Sequence, residues 1–332
     1  MTLSVKTLSE TEYPLWNEFV RKSPQGTFFN TTEWANLLSF SFDRDYRIIA
    51  VINNDEIISG CLVFVQQKFG YNLITPQAIY PFNGPVLTSP ADAKIQKVTA
   101  VQHEVLSAIA GFLRQQYHYW ILDTTYHLQD VRAFQWAGCS CEPVYSYQVN
   151  ISDWETCLAG LSQSVRKKVR QAEQSQFRIE KTIYSSSFID LYQKSYQRHG
   201  LTPLIKSQTL EKFLDMAMKL DQVTLYYLYR SEVCLAGRIV LTDTPMVYDL
   251  LAGSDDPDGL GSSYLVYNIL KDSAGINQIF DFLGADHPQI EKFKRSFGGT
   301  LVHGFRLTNK PAFPLSWLIK LRTRQLIRDR IK

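Results

Sequence analysis

Three stretches of this chain carry side chains arranged for chemistry. Residues 251–264 read LAGSDDPDGLGSSY, in which an apolar strand gives way to a loop with Gly253, Gly259 and Gly261, and Ser262 and Ser263 open a helix. Free N–H groups at a helix start suit a phosphate or pyrophosphate, and glycine lets the backbone approach it. The plainer alternative is a long turn with a serine cap. Asp255, Asp256 and Asp258 oppose an anion on their side of the loop, and the Glu that closes a calcium loop is missing. Residues 293–299, FKRSFGG, set Lys294 beside Phe293. A lysine so placed can stabilise charge developing on a reacting carbonyl, or it belongs to a surface helix turn ended by two glycines. Residues 166–170, RKKVR, crowd Arg166, Lys167, Lys168 and Arg170 onto one helix. Such a run is a solvated face, or a phosphate-binding helix for a nucleotide-linked or lipid-linked substrate or for RNA.

No covalent mechanism is visible. The histidines show no HExxH or HxxxH pairing, and there is no GxSxG. Cys139 and Cys141 lack a matching Cys or His pair, so no metal is expected there. A direct transfer, in which the protein positions two substrates, fits better. An attacking amine must first lose a proton. Asp281 and Asp249, near the ends of apolar strands, are the candidate acceptors, unless both are strand-end hydrogen-bond partners.

A duplicated unit carries these residues. Residues 46–65 read YRIIAVINNDEIISGCLVFV and residues 223–241 read VTLYYLYRSEVCLAGRIVL. Each copy is an apolar strand, a polar turn with a Glu, then Ser-Gly or Ala-Gly opening a second strand. Another strand, an irregular loop, a helix and an Asp-bearing strand follow, YWILD at 119–123 and IFDF at 279–282. Repeats of about 150 residues imply a tandem α/β architecture, and a cleft between copies is a usual ligand site. The expected division is residues 1–152, residues 153–313 and a basic amphipathic helix over 314–332. At 332 residues, 45% hydrophobic and 20% charged, the chain is long enough for two full cores. Its net charge of +3 is concentrated in the tail, so the body is no general polyanion binder. The start lacks an apolar signal region and no run of 18 apolar residues occurs, which predicts a cytoplasmic protein with no spanning helix.

Four stretches resemble the tandem form of the GNAT acyltransferase superfamily: the Fem-type peptidoglycan-bridge aminoacyltransferases and the Fem-like N-acyltransferases linked to polysaccharide synthesis. They are GTFFNTTEW at 26–34, VYSY at 144–147 through RKKVRQA at 166–172, the paired strands between Ala236-Gly237 and Gly253, and DFLG at 281–284 followed by Phe293-Lys294. The resemblance implies an α/β fold of two GNAT-like domains, each a mixed central sheet flanked by helices. It implies an acyl-CoA donor with its phosphates near Gly259, Gly261, Ser262 and Ser263. It assigns Lys294 to the transferring acyl group and Arg166 to substrate phosphate, with Trp34, Tyr248 and Phe293 as further substrate contacts. Fem enzymes acting on a nucleotide-linked muropeptide tend to carry a Lys four residues after the Trp matched by Trp34. Here that position is Leu38, which favours another amine acceptor in the cell envelope, such as an amino sugar.

The expected activity is therefore N-acyl transfer from a CoA thioester to a small-molecule or lipid-linked amine. One alternative is an aminoacyl-tRNA-dependent Fem-type transferase, whose binding would fall steeply with salt. The other is a non-catalytic module docked on the inner face of the membrane through residues 314–332, where Trp317, Leu318, Leu321, Leu326 and Ile327 alternate with cations.

Overall fold

The computed structural model describes residues 3–88, 94–198, 200–285, 288–311 and 314–316. They form two compact units, one comprising the residues up to Val144 together with those from His303 onward, the other Tyr145–Val302.

The first unit runs β1 (Leu3–Thr7), α1 (Tyr13–Lys22), α2 (Thr32–Phe42), β2 (Tyr46–Asn53), β3 (Glu56–Lys68), β4 (Tyr71–Ile74), β5 (Val86–Leu87), α3 (Ile95–Gln116), β6 (Tyr119–Asp123) and α4 (Arg132–Trp136). Strands β1 to β4 pair antiparallel in order, and β6 joins parallel to β4. In α1, Trp16, Phe19 and Val20 recur at helical spacing and are the buried face. Thr31 caps α2, its hydroxyl accepting the Trp34 amide at 3.3 Å. Strand β4 stops at Ile74, because the prolines that follow cannot donate to a ladder. The strand line resumes at β5, which pairs with Ser59 and Gly60 of β3. Val105, Leu106, Ile109 and Leu113 of α3 close the core over Ile49, Val63 and Trp120.

The second unit runs β7 (Ser140–Asn150), α5 (Trp154–Gly160), α6 (Gln163–Glu173), β8 (Phe177–Thr182), α7 (Ser186–Arg198), α8 (Ser207–Ala217), β9 (Val223–Arg230), β10 (Val233–Asp243), β11 (Met246–Ser254), α9 (Leu260–Ser273), β12 (Ile279–Asp281) and α10 (Pro288–Arg295). Strands β8 to β11 pair antiparallel, β12 lies parallel to β11, and β7 pairs antiparallel with β12. In each unit four antiparallel strands precede a parallel one that ends in Asp; the sequence repeat predicts the last three of the four and the Asp-bearing strand. Ser162 caps α6 through the Val165 amide. Strand β13 (Thr300–Thr308) then ends the described sheet elements.

The unit limits differ from the expected 152/153 division. The chain leaves the first unit within β7, and Arg306, Leu307 and Thr308 of β13 return to pair with Asp123, Leu122 and Ile121. The reason is burial: Leu307 is fully enclosed in the first unit's core. The proposed tail helix falls on residues that, apart from 314–316, lie outside the described ones. Among the described residues, no helix is long and apolar enough to cross a membrane.

Candidate active site

Strand β12 delivers Asp281 to the centre of a polar network. Asp281 pairs in register with Gln148 of β7, so Gln148 and, two residues away, Ser146 reach it from the same face. One carboxylate oxygen, Oδ1, accepts from Ser146 Oγ and from the Leu283 amide, both at 2.7 Å. The other, Oδ2, accepts from Gln148 Nε2 at 2.8 Å. Ser146 Oγ in turn accepts the Gly284 amide at 3.1 Å. The chain turns through left-handed backbone at Leu283 (φ 48°) and Gly284 (φ 98°). Lys294, in the last turn of α10, donates to the Phe282 and Gly284 carbonyls, both at 2.6 Å. Lys294 and Asp281 are thus brought together, as expected.

The role expected of Asp281 needs correction. It is fully buried and both its oxygens are engaged, so it cannot take a proton from a substrate directly. Burial raises its pKa; Gln148, Ser146, the Leu283 amide and the Lys294 charge pull the other way.

Asp249 sits elsewhere. It lies opposite Val240 and two residues from Val247, whereas Tyr248 lies opposite Asp281. Alternation along β11 therefore puts the two carboxylates on opposite faces of the sheet. Asp249 is ion-paired with Arg238, both side chains being buried, and its Oδ1 has no hydrogen-bond partner among the described residues. The Arg238 guanidinium lies 5.5 Å over the Phe293 ring, which links this pair to the residue next to Lys294. Sequence reasoning missed Arg238, although an arginine inside an apolar strand signals a buried acidic partner. It also missed the register shift between Ile239 and Val240, which leaves Leu250 without a partner in β10. Tyr248 is buried, and its phenol is pushed well above its usual range by burial and then by Asp281 and Asp243. Phe293 is half-buried, with its ring edge-on to Phe297 at 5.1 Å.

The start of α9 also differs from expectation. The helix opens at Leu260, with Gly259 as a left-handed cap (φ 63°), rather than at Ser262–Ser263. The Ser262 amide donates to Asp256 Oδ2 at 2.7 Å, so a carboxylate of the chain occupies one N–H expected to meet phosphate. Gly261 permits this approach, since a Cβ there would meet Leu228 Cδ2 at 3.0 Å and Asp256 Oδ2 at 3.5 Å. Ser263 is buried and its hydroxyl donates back to the Gly259 carbonyl at 2.6 Å. Lys168 closes the loop from α6, donating to the Asp258 and Gly259 carbonyls at 2.9 and 3.1 Å.

Arg166 donates to the Leu161 and Ala159 carbonyls at 2.9 and 2.6 Å, which commits part of its guanidinium to the end of α5. The same corner is stitched to the residues after α10. The Ser162 amide donates to the Ser296 carbonyl at 2.9 Å, and Gly160 and Gly298 touch backbone to backbone. Glu291 of α10 accepts from the Tyr147 hydroxyl and pairs with Arg295, both at 2.8 Å. Within the second unit, the segment that Arg166 holds thus touches the residues that follow Lys294. Trp34 is a correction: it is fully buried in the first unit, and its indole N–H donates to the Ile79 carbonyl at 3.1 Å, so it packs in the core. A cavity of about 250 Å³ in the first unit is lined by residues such as Pro24, Ile58, Val101 and His127, and by none of the nominated side chains.

No family model and no curated protein matches the chain. Solved structures do. FemX superposes with a TM-score of 0.72 at 14% identity, over 95% of this chain and 99% of that one. A conserved protein of unknown function from Bacteroides thetaiotaomicron gives 0.60 at 12% identity, over 93% and 100%. A tandem GNAT protein from the clavulanic acid biosynthesis pathway gives 0.54 at 10% identity, over 93% and 99%. The fold is therefore the tandem GNAT-like α/β fold, related to that of FemX.

Proposed function

We propose that this chain is an N-acyltransferase that moves an activated acyl group directly onto an amine. The observation that carries this reading is the Lys294 ammonium, fixed between two backbone carbonyls at the end of β12. A cation held there is preorganised for an oxyanion and needs little reorganisation when charge develops. The neutral amine attacks the carbonyl carbon and a C–N bond forms. The oxyanion faces Lys294. The bond to the leaving sulfur or oxygen then breaks, and the proton shed by nitrogen passes to that atom through water. The acceptor ammonium first gives its proton to water, since both oxygens of Asp281 are engaged and the buried Asp249 is paired with Arg238. Arg166 and Phe293 remain the proposed substrate contacts beside the site, and the acceptor is a small or lipid-linked amine of the cell envelope.

The proposed donor is an acyl-CoA thioester. A second reading, an aminoacyl ester on tRNA, is favoured by one observation: Asp256 already occupies the Ser262 amide. Calorimetry with coenzyme A, acetyl-CoA and aminoacyl-tRNA side by side tests both. Saturable CoA binding supports the first. Binding of aminoacyl-tRNA alone supports the second. With the donor in hand, Lys294→Ala is expected to lower turnover by about tenfold or more at saturating substrate, and unchanged turnover removes Lys294 from the mechanism.

A further inference from the structure

The groups around Asp281 are all spent on backbone geometry. We propose that Ser146 and Asp281 are positioning residues for Lys294, folding the 282–284 turn whose carbonyls hold its ammonium.

The contacts form a closed circuit. Ser146 Oγ donates to Asp281 and accepts from Gly284, while Asp281 also takes the Leu283 amide. Gln148 fixes the remaining carboxylate oxygen. Three consecutive residues are therefore locked: Phe282 and Gly284 offer their carbonyls to one nitrogen, and the amides of Leu283 and Gly284 are turned inward. Leu283 holds a left-handed conformation that a branched side chain adopts only under constraint. The constraint is the pair of hydrogen bonds that the Leu283 and Gly284 amides donate to Asp281 Oδ1 and Ser146 Oγ. Neither residue reaches solvent, since both are fully buried, so neither touches a substrate. Their influence on the reaction runs through Lys294. Ser146 joins Asp281 to the Gly284 amide.

This inference rests on Lys294 acting at the reacting carbonyl, but its main test reads Lys294 itself. Trace acetic anhydride labels lysines in proportion to their free, accessible amine, and mass spectrometry reports each site. Ser146→Ala in the full chain is expected to raise Lys294 labelling about tenfold, the equivalent of one lost hydrogen bond, with Lys167 as an unchanged internal reference. Asp281→Ala is expected to do the same and to lower turnover. Asp281→Asn restores most of both, because its amide oxygen still accepts from Ser146 and Leu283 and Gln148 can flip to meet its nitrogen. Unaltered Lys294 labelling in Ser146→Ala overturns the proposal. So does an Asp281→Asn protein that holds Lys294 normally yet has no turnover, since that outcome makes Asp281 the proton acceptor. If Lys294→Ala keeps full turnover while the labelling behaves as expected, the positioning circuit stands and the catalytic reading fails.

Discussion

Asp123 and Asp281 occupy the same place in the two units, at the end of the strand parallel to its neighbour, yet they are satisfied in different ways. Asp123 meets the Arg306 guanidinium two-handed, at 2.7 and 2.9 Å, and that arginine is 44% exposed. Asp281 is fully buried, holds only neutral donors directly, and meets its nearby cation through backbone carbonyls. In the first unit a half-exposed side chain reaches in and cancels the charge. In the second, the carboxylate shapes a turn and the turn holds the cation. Duplication has kept the architecture and the acid, while only one copy leaves a lysine poised beside a strand end.

The comparison is broken most directly by deleting each acid. Asp281→Ala leaves three donors without their buried acceptor and should cost about 3 kcal/mol. Asp123→Ala loses a half-exposed ion pair and should cost about 1 kcal/mol. Peptide-resolved hydrogen exchange reads the units separately, and equal losses would erase the distinction. The corner near α10 comes next. Gly298 has φ 80°, and a Cβ there would sit 2.3 Å from the Gly160 carbonyl oxygen. Gly298→Ala should therefore destabilise the second unit by about 2 kcal/mol and leave exchange in the first unit unaltered. The caps sharpen the comparison from the other side. Thr31→Ala and Ser162→Ala should each cost about 1 kcal/mol in their own unit, because this device is the same in both.

The smallest effect is in pH. The Asp281 pKa is raised in the folded chain, so its contribution is fully present below the unfolded carboxyl pKa and is lost as pH rises through the higher folded value. Denaturant titrations at pH 4 and pH 7 should show the wild type gaining on Asp281→Asn as pH falls. A gap that moves the other way would mean that the hydrogen bonds outweigh burial.

Much of this was legible in advance, for physical reasons. Strand and helix periodicities repeat, so the order of elements and the paired Asp strands could be read from residues 46–65 and 223–241. Caps are local, and Thr31 and Ser162 are of the types that cap helices. The α9 start was misread by three residues, because Ser262 and Ser263 look like caps when Gly259 in a left-handed conformation supplies the turn. The role of Asp281 was hidden because its partners are 133 and 135 residues away. The Arg238–Asp249 pair depends on a register that one extra residue, Leu250, shifts. Trp34 looked like a ligand contact because its motif is local, whereas its burial is set by the whole unit.

Strand β13 has a consequence for synthesis. The Arg306–Asp123 contact spans 183 positions, and Leu307 seals a core otherwise built from residues made far earlier. On the ribosome the first unit must wait with an unpaired strand edge until the second has been made and β13 emerges. A nascent chain halted before His303 is therefore the form most in need of a chaperone.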